Sequence, residues 1–193
     1  MEKNNLSARQ LTNLLESLGK PVVLVGSAGS GKSTVGRRVA KKTKLQFYDS
    51  DQMIEQRENM SVVEIYDKYG QEYFTQRERE VVQEVLSGYG VVILSTGSNA
   101  FIDSYLHQYI KDHSITIWLY ADTNVLAERI SRRNSRPGFT RENTTEILKE
   151  IVDRDYPLYG QANLSIESHE HDIYKVVDNV ILKLTKYLEG LLI

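Results

Sequence analysis

The run Gly26-Ser27-Ala28-Gly29-Ser30-Gly31-Lys32-Ser33 carries the clearest chemistry in the chain. It matches the spacing G-x-x-x-x-G-K-[S/T] in full, the pattern of a loop that cradles phosphates. The glycines let the backbone wrap an anion so that several N–H groups point inward, and a helix N-terminus adds partial positive charge at the same spot. In such a loop Gly29, Ser30, Gly31 and Thr34 contact the nucleotide, Lys32 reaches the outer phosphates, and the Ser33 hydroxyl is a ligand for Mg²⁺. A nucleoside triphosphate with magnesium is the expected ligand. A second constellation is Asp49-Ser50-Asp51. In extended chain, carboxylates two residues apart project to the same side, so one would serve the metal while the other faces an acceptor hydroxyl. The competing reading has Asp51 capping a helix that begins at Gln52.

These groups need a frame that holds them together. Pro21-Val22-Val23-Leu24-Val25 is a continuous apolar run, suited to a strand buried on both faces, and it leads straight into the glycine-rich loop. Further strands are expected at Leu45–Tyr48, Val91–Leu94, Ile115–Tyr120 and about Asn163–Glu167. Helical spacing fills the gaps, over about 32–43, a stretch ending near 87, 103–112, 123–133 and 144–155. A final helix has Ile173, Val176, Val177, Val180, Ile181 and Leu184 on one stripe. Strands alternating with helices imply a parallel sheet between two helix layers. Ahead of the first strand, Leu11, Leu14, Leu15 and Leu18 mark a short amphipathic helix, so the division expected is an N-terminal helical extension (1–20) and one domain (21–193). The least patterned stretch, about 134–143, holds Arg136-Pro137-Gly138 and is the candidate lid.

Composition removes several classes of function. The chain has 193 residues and no cysteine, so disulfides, thiolate metal sites and cysteine nucleophiles are excluded. Lys plus Arg number 24 against 26 Asp plus Glu, a net charge of −2 that offers no footprint for nucleic acid. No stretch approaches the length of a membrane span or the apolar core of a signal peptide. A cytoplasmic monomer with no nucleic-acid or membrane partner is the expectation. His169 and His171 resemble a metal pair but lack a third ligand nearby in sequence, so a solvated loop is expected there.

The phosphate loop, Asp49-x-Asp51 with Ile54-Glu55, Gly70-x-x-x-Phe74, Thr96-Gly97, Arg136-Pro137 and Arg154-x-x-x-x-Tyr159-x-x-Ala162 follow one another in the order and spacing of shikimate kinases. The chain resembles that family over about residues 21–185. The resemblance implies a three-layer fold with a five-stranded parallel sheet of the nucleoside-monophosphate-kinase type, helices on both faces and a mobile lid. It implies transfer of phosphate from MgATP to the 3-hydroxyl of shikimate, within aromatic amino acid biosynthesis. It further implies that Asp49 supports the metal through water, that Asp51 binds or activates the acceptor hydroxyl with Gly97 beside it, and that Arg154 grips the acceptor carboxylate. Arg136 would be the lid arginine closing on the transferring phosphate, and Arg132 would lie against adenine. In two places the sequence departs from the family. Thr75 stands where the family has a second carboxylate-binding arginine, and Ser98 and Asn99 stand where it has glycines. A neutral hydroxyl cannot replace a charged, bidentate fork. Two further readings therefore stay open: a kinase of the same fold for another small hydroxylated acceptor, and a nucleotide-binding regulatory protein without transfer activity.

Overall fold

The computed structural model describes residues 2–132, 143–168 and 172–192. Its elements alternate as the hydrophobic pattern requires: α1 (Glu2–Leu18), β1 (Val22–Val25), α2 (Lys32–Thr43), β2 (Gln46–Asp49), α3 (Ser50–Glu58), α4 (Val62–Gly88), β3 (Val92–Ser95), α5 (Ser104–His113), β4 (Ile115–Tyr120), α6 (Thr123–Ser131), α7 (Thr144–Tyr159), β5 (Leu164–Glu167) and α8 (Ile173–Leu191). The strands form a five-stranded sheet in the order β2-β3-β1-β4-β5, and every pairing is parallel. The phosphate loop thus leaves the central strand, with β3 on one side and β4 on the other.

Both faces of the sheet are covered, which explains why its strands read as unbroken apolar runs. Alternate residues of β1 divide between two cores. Val22 and Leu24 pack with α1, α2 and α8 through Leu15, Val35, Val39, Val177 and Leu184. Val23 and Val25 pack on the other face with Val82 and Val85 of α4, Leu106 of α5 and Tyr159 of α7. Leu11 and Leu15 of α1 are completely buried in the first core, where the N-terminal helix packs against α8 and α2. Pro157 lies inside α7 and does not end it, so that helix runs past the expected boundary at 155.

Two local details correct the reading of Asp49-Ser50-Asp51. The helix begins at Ser50 rather than Gln52, and its cap is Asp49, whose carboxylate accepts the Gln52 N–H at 3.3 Å. Asp51 therefore sits in the first turn of α3, where a carboxylate favours the helix dipole. The two aspartates do not share a stretch of extended chain. Farther on, Ser61 and Glu64 form a reciprocal capping box that starts α4. Within α4, Gly70 has φ 82° and ψ 174°, which breaks the helix into two segments and re-aims the part from Gln71 onward.

Candidate active site

The phosphate loop folds as its sequence demands. Gly26 has φ 139°, and a Cβ there would lie 2.3 Å from the Leu119 carbonyl oxygen of β4, so only glycine lets the loop leave β1 against its neighbour. Gly31 precedes α2 in the left-handed region. The first N–H groups of α2 have no intrahelical acceptor, the feature that makes a helix N-terminus bind anions. Lys32 is buried and its ammonium donates to the Gly26 and Ser27 carbonyls at 2.6 and 3.0 Å. It spans the loop mouth, next to where phosphates would lie. The outer side of the loop is braced by Arg129, which donates to the Gly29 carbonyl and to Ser168 beyond β5.

Sheet register brings the metal candidates together. Asp49 is paired with Ser95 across β2 and β3, and the Ser95 hydroxyl lies 3.3 Å from that of Ser33. Ser33, Ser95 and Asp49 thus converge as oxygen donors at the carboxyl ends of the strands, where open parallel sheets bind ligands. Among the described residues no group of three or more His, Asp or Glu gathers to hold a metal by itself.

A carboxylate pair lies deeper. Glu78 of α4 is almost completely buried. One of its oxygens accepts from the Ser50 hydroxyl at 3.2 Å and from the Gly97 N–H at 2.9 Å. The Gly97 N–H also donates to Ser50 Oγ at 2.9 Å. A Cβ on Gly97 would fall 2.4 Å from Glu78 Oε1 and 2.8 Å from Asp51 Oδ1, so both carboxylates crowd this glycine. Burial, then the Asp51 charge, pushes Glu78 up from 4.5 to about 8, against the opposing pull of Ser50, Gly97 and Lys32. Near neutral pH Glu78 keeps its proton. The motifs did not point to Glu78. The signal was an acid on the buried stripe Phe74, Glu78, Val81, Val82 and Val85, where an apolar residue is the norm.

A cavity of about 680 Å³ opens beside this pair, lined by Ala28, Asp51, Thr75, Gly97, Asn99 and Arg154, among others. It joins the edge of the phosphate loop to the expected acceptor residues. Gly97 lines it, but its N–H is committed to Ser50 and Glu78. Tyr159 donates its hydroxyl to the Ser98 carbonyl and so ties the 97–99 loop to α7. Arg77 does not line the cavity; it pairs with Glu80 and lies over Tyr73. Arg132 closes α6 on the surface, paired with Glu128. Arg136, nearly all of the candidate lid, and both His169 and His171 fall outside the described residues. Among the described residues no helix is long and apolar enough to cross a membrane.

The arrangement has close counterparts. The family model for shikimate kinase matches residues 28–185, most of the chain and every element from the phosphate loop onward. The chain belongs to the shikimate kinase family. It is thereby an ATP-dependent phosphotransferase with a hydroxyl acceptor. It is 38% identical to the shikimate kinase of Bartonella quintana, over 91% of this chain and 83% of that protein. It is 35% identical to that of Rhodopseudomonas palustris, over 93% and 88%. Among solved structures, shikimate kinase from Acinetobacter baumannii in complex with shikimate superposes with a TM-score of 0.81 at 26% identity, covering 93% of this chain and 97% of that one. A gluconokinase from Sinorhizobium meliloti shares the fold alone, at a TM-score of 0.58 and 18% identity over 90% and 95% of the two chains.

Proposed function

We propose that this shikimate kinase family member transfers the terminal phosphate of MgATP to a hydroxyl of shikimate. The observation that carries the reading is the single cavity whose wall runs from Ala28 of the phosphate loop through Asp51 and Gly97 to Arg154. A phosphate donor on the loop and a hydroxylated acid between Asp51 and Arg154 would then meet within one enclosure.

Phosphoryl transfer asks a protein mainly for positioning and charge stabilisation. The α2 N-terminus and Lys32 hold the outer phosphates, with the lysine exchanging its loop carbonyls for phosphate oxygens. Asp51 accepts the proton of the attacking hydroxyl. That oxygen bonds to the terminal phosphorus, the bond to the bridging oxygen breaks, and ADP leaves. Arg154 takes the acceptor carboxylate. Ser33, Ser95 and Asp49 fit Mg²⁺, a hard ion that keeps much of its water and needs only one or two carboxylates beside substrate phosphates. When bound, that ion supplies neutralisation of the phosphate charge. We assign to Arg136 the closure on the transferring phosphate, and to Arg132 the adenine side, on the family resemblance.

Thr75, Ser98 and Asn99 give part of the cavity a neutral, hydrogen-bonding wall. That lining favours a second reading within the same class, a polyol or another sugar acid as acceptor. Coupled measurement of ADP release with MgATP tests both. Shikimate at millimolar concentration is expected to stimulate release well above the rate without acceptor. Stimulation by a member of a polyol and sugar-acid panel, with none by shikimate, refutes the first reading in favour of the second.

A further inference from the structure

The phosphate loop rests on main chain that it does not itself fix. A Cβ on Gly26 would lie 2.3 Å from the Leu119 carbonyl oxygen, and one on Gly29 would lie 3.0 Å from that of Leu126. Ala28 is buried with Ala121, Leu126, Ala127 and Ile130. The loop therefore lies directly on the end of β4 and the start of α6, and the joint between them, Ala121-Asp122, sets its seat. Asp122 is the N-cap of α6 but makes no side-chain capping hydrogen bond, so the joint is not held by its own cap. The hold comes from α7. Tyr156 donates its hydroxyl to the Ala121 carbonyl at 2.8 Å, and its ring stands edge-on to Trp118 of β4 with centroids 4.9 Å apart. Burial raises the phenol above its ordinary pKa, so it stays a neutral donor, while the Ser27 hydroxyl of the loop is close enough to pull the other way. Ser27 is itself buried, and its carbonyl, with that of Gly26, holds the Lys32 ammonium.

We propose that Tyr156 is a positioning residue for the nucleotide: its hydroxyl anchors the β4–α6 joint, so that the phosphate loop and Lys32 are in place before the phosphates arrive. The ligand concerned is the nucleoside triphosphate, whatever the acceptor. A loop that binds an anion through backbone N–H groups gains most when those groups are aimed in advance, because ordering a loop on binding consumes part of the binding free energy. Tyr159, farther along the same helix, donates instead to the Ser98 carbonyl. The two hydroxyls thus leave α7 toward different loops, Tyr156 to the nucleotide side and Tyr159 to the acceptor side. A hydroxyl present only to satisfy a buried carbonyl affects stability and favours neither ligand. One that seats the phosphate loop affects the nucleotide alone.

Calorimetric titration of MgADP into the wild type, Tyr156→Phe and Tyr159→Phe tests the assignment without reference to the acceptor. Loss of one neutral hydrogen bond is expected to raise the Kd of Tyr156→Phe about three- to tenfold, with Tyr159→Phe within about twofold of the wild type. In coupled ADP release the KM for ATP is expected to follow the same order, and the KM for shikimate to rise in Tyr159→Phe alone. An unchanged nucleotide Kd in Tyr156→Phe, whatever its urea midpoint, overturns the assignment and leaves the hydroxyl a role in stability only. Equal weakening in both variants also overturns it, since it reports a general loosening of α7. If Tyr156→Phe does not fold, hydrogen exchange of the wild type decides. MgADP is then expected to slow exchange at the β4–α6 joint together with the loop, and protection confined to the loop overturns the assignment. A wild type inert toward shikimate refutes the acceptor reading and leaves the nucleotide titration intact, whereas an active wild type with an unaffected Tyr156→Phe refutes this inference alone.

Discussion

Replacing Glu78 by glutamine makes the buried carboxylate pair measurable. Glutamine has nearly the same shape, its oxygen can still accept from Ser50 and Gly97, and it mimics the protonated acid. In the wild type, burial and Asp51 move Glu78 from 4.5 to about 8. Below the lower value, folded and unfolded chains both carry the proton. Between the two, only the folded chain does, so stability falls as pH rises. Above the upper value the loss is complete. Each unit of separation corresponds to about 1.4 kcal/mol, and between about pH 5 and about pH 8 the wild type should lose roughly 3–4 kcal/mol relative to Glu78→Gln. Urea unfolding of the ligand-free proteins at several pH values reads this directly, because taking the difference between them cancels groups that titrate alike in both. A difference that stays flat across that range would refute the reasoning, since it would mean Glu78 ionises in the fold as it does in water.

Other expectations follow from single contacts. Gly97→Ala should cost about 1–3 kcal/mol of stability through overpacking and abolish most activity, because its methyl group would collide with Glu78 and displace Asp51; urea melts and kcat check both. Lys32→Met should lower kcat/KM by roughly 100-fold or more, as loss of a preorganised charge at the transferring phosphate does; near-wild-type ATP turnover would contradict the role given to the loop. Tyr159→Phe removes the donor to the Ser98 carbonyl and should destabilise the protein by about 1–3 kcal/mol, with a rise in acceptor KM measured by ADP release. Leu15→Ala should cost about 2–5 kcal/mol by cavity formation and lower the urea midpoint; no change would show that α1 contributes nothing to the first core.

Much of the molecule was legible before any coordinates. The strand Val22–Val25 and the helix from Lys32 are set by local signals, an apolar run, the glycine spacing and helical periodicity, and Ile115–Tyr120 emerges with the same limits in both readings. The phosphate loop required no tertiary information, because its function resides in backbone N–H groups that contiguous residues position. Asp51 and Arg154, singled out by their spacing relative to other motifs, both line the cavity, but how they are held was not visible. A two-residue spacing cannot say whether a chain has already turned into a helix, and here capping by Asp49 turned it one residue after the strand. Only the tertiary structure decided that Glu78 lies against Asp51 across Gly97, that Ser95 meets Ser33, and that Tyr156 reaches the Ala121 carbonyl. Register, burial and side-chain direction set those contacts between separate elements, and a linear pattern encodes none of them. Sequence determined which groups are present at the site; packing determined which are charged and which way they point.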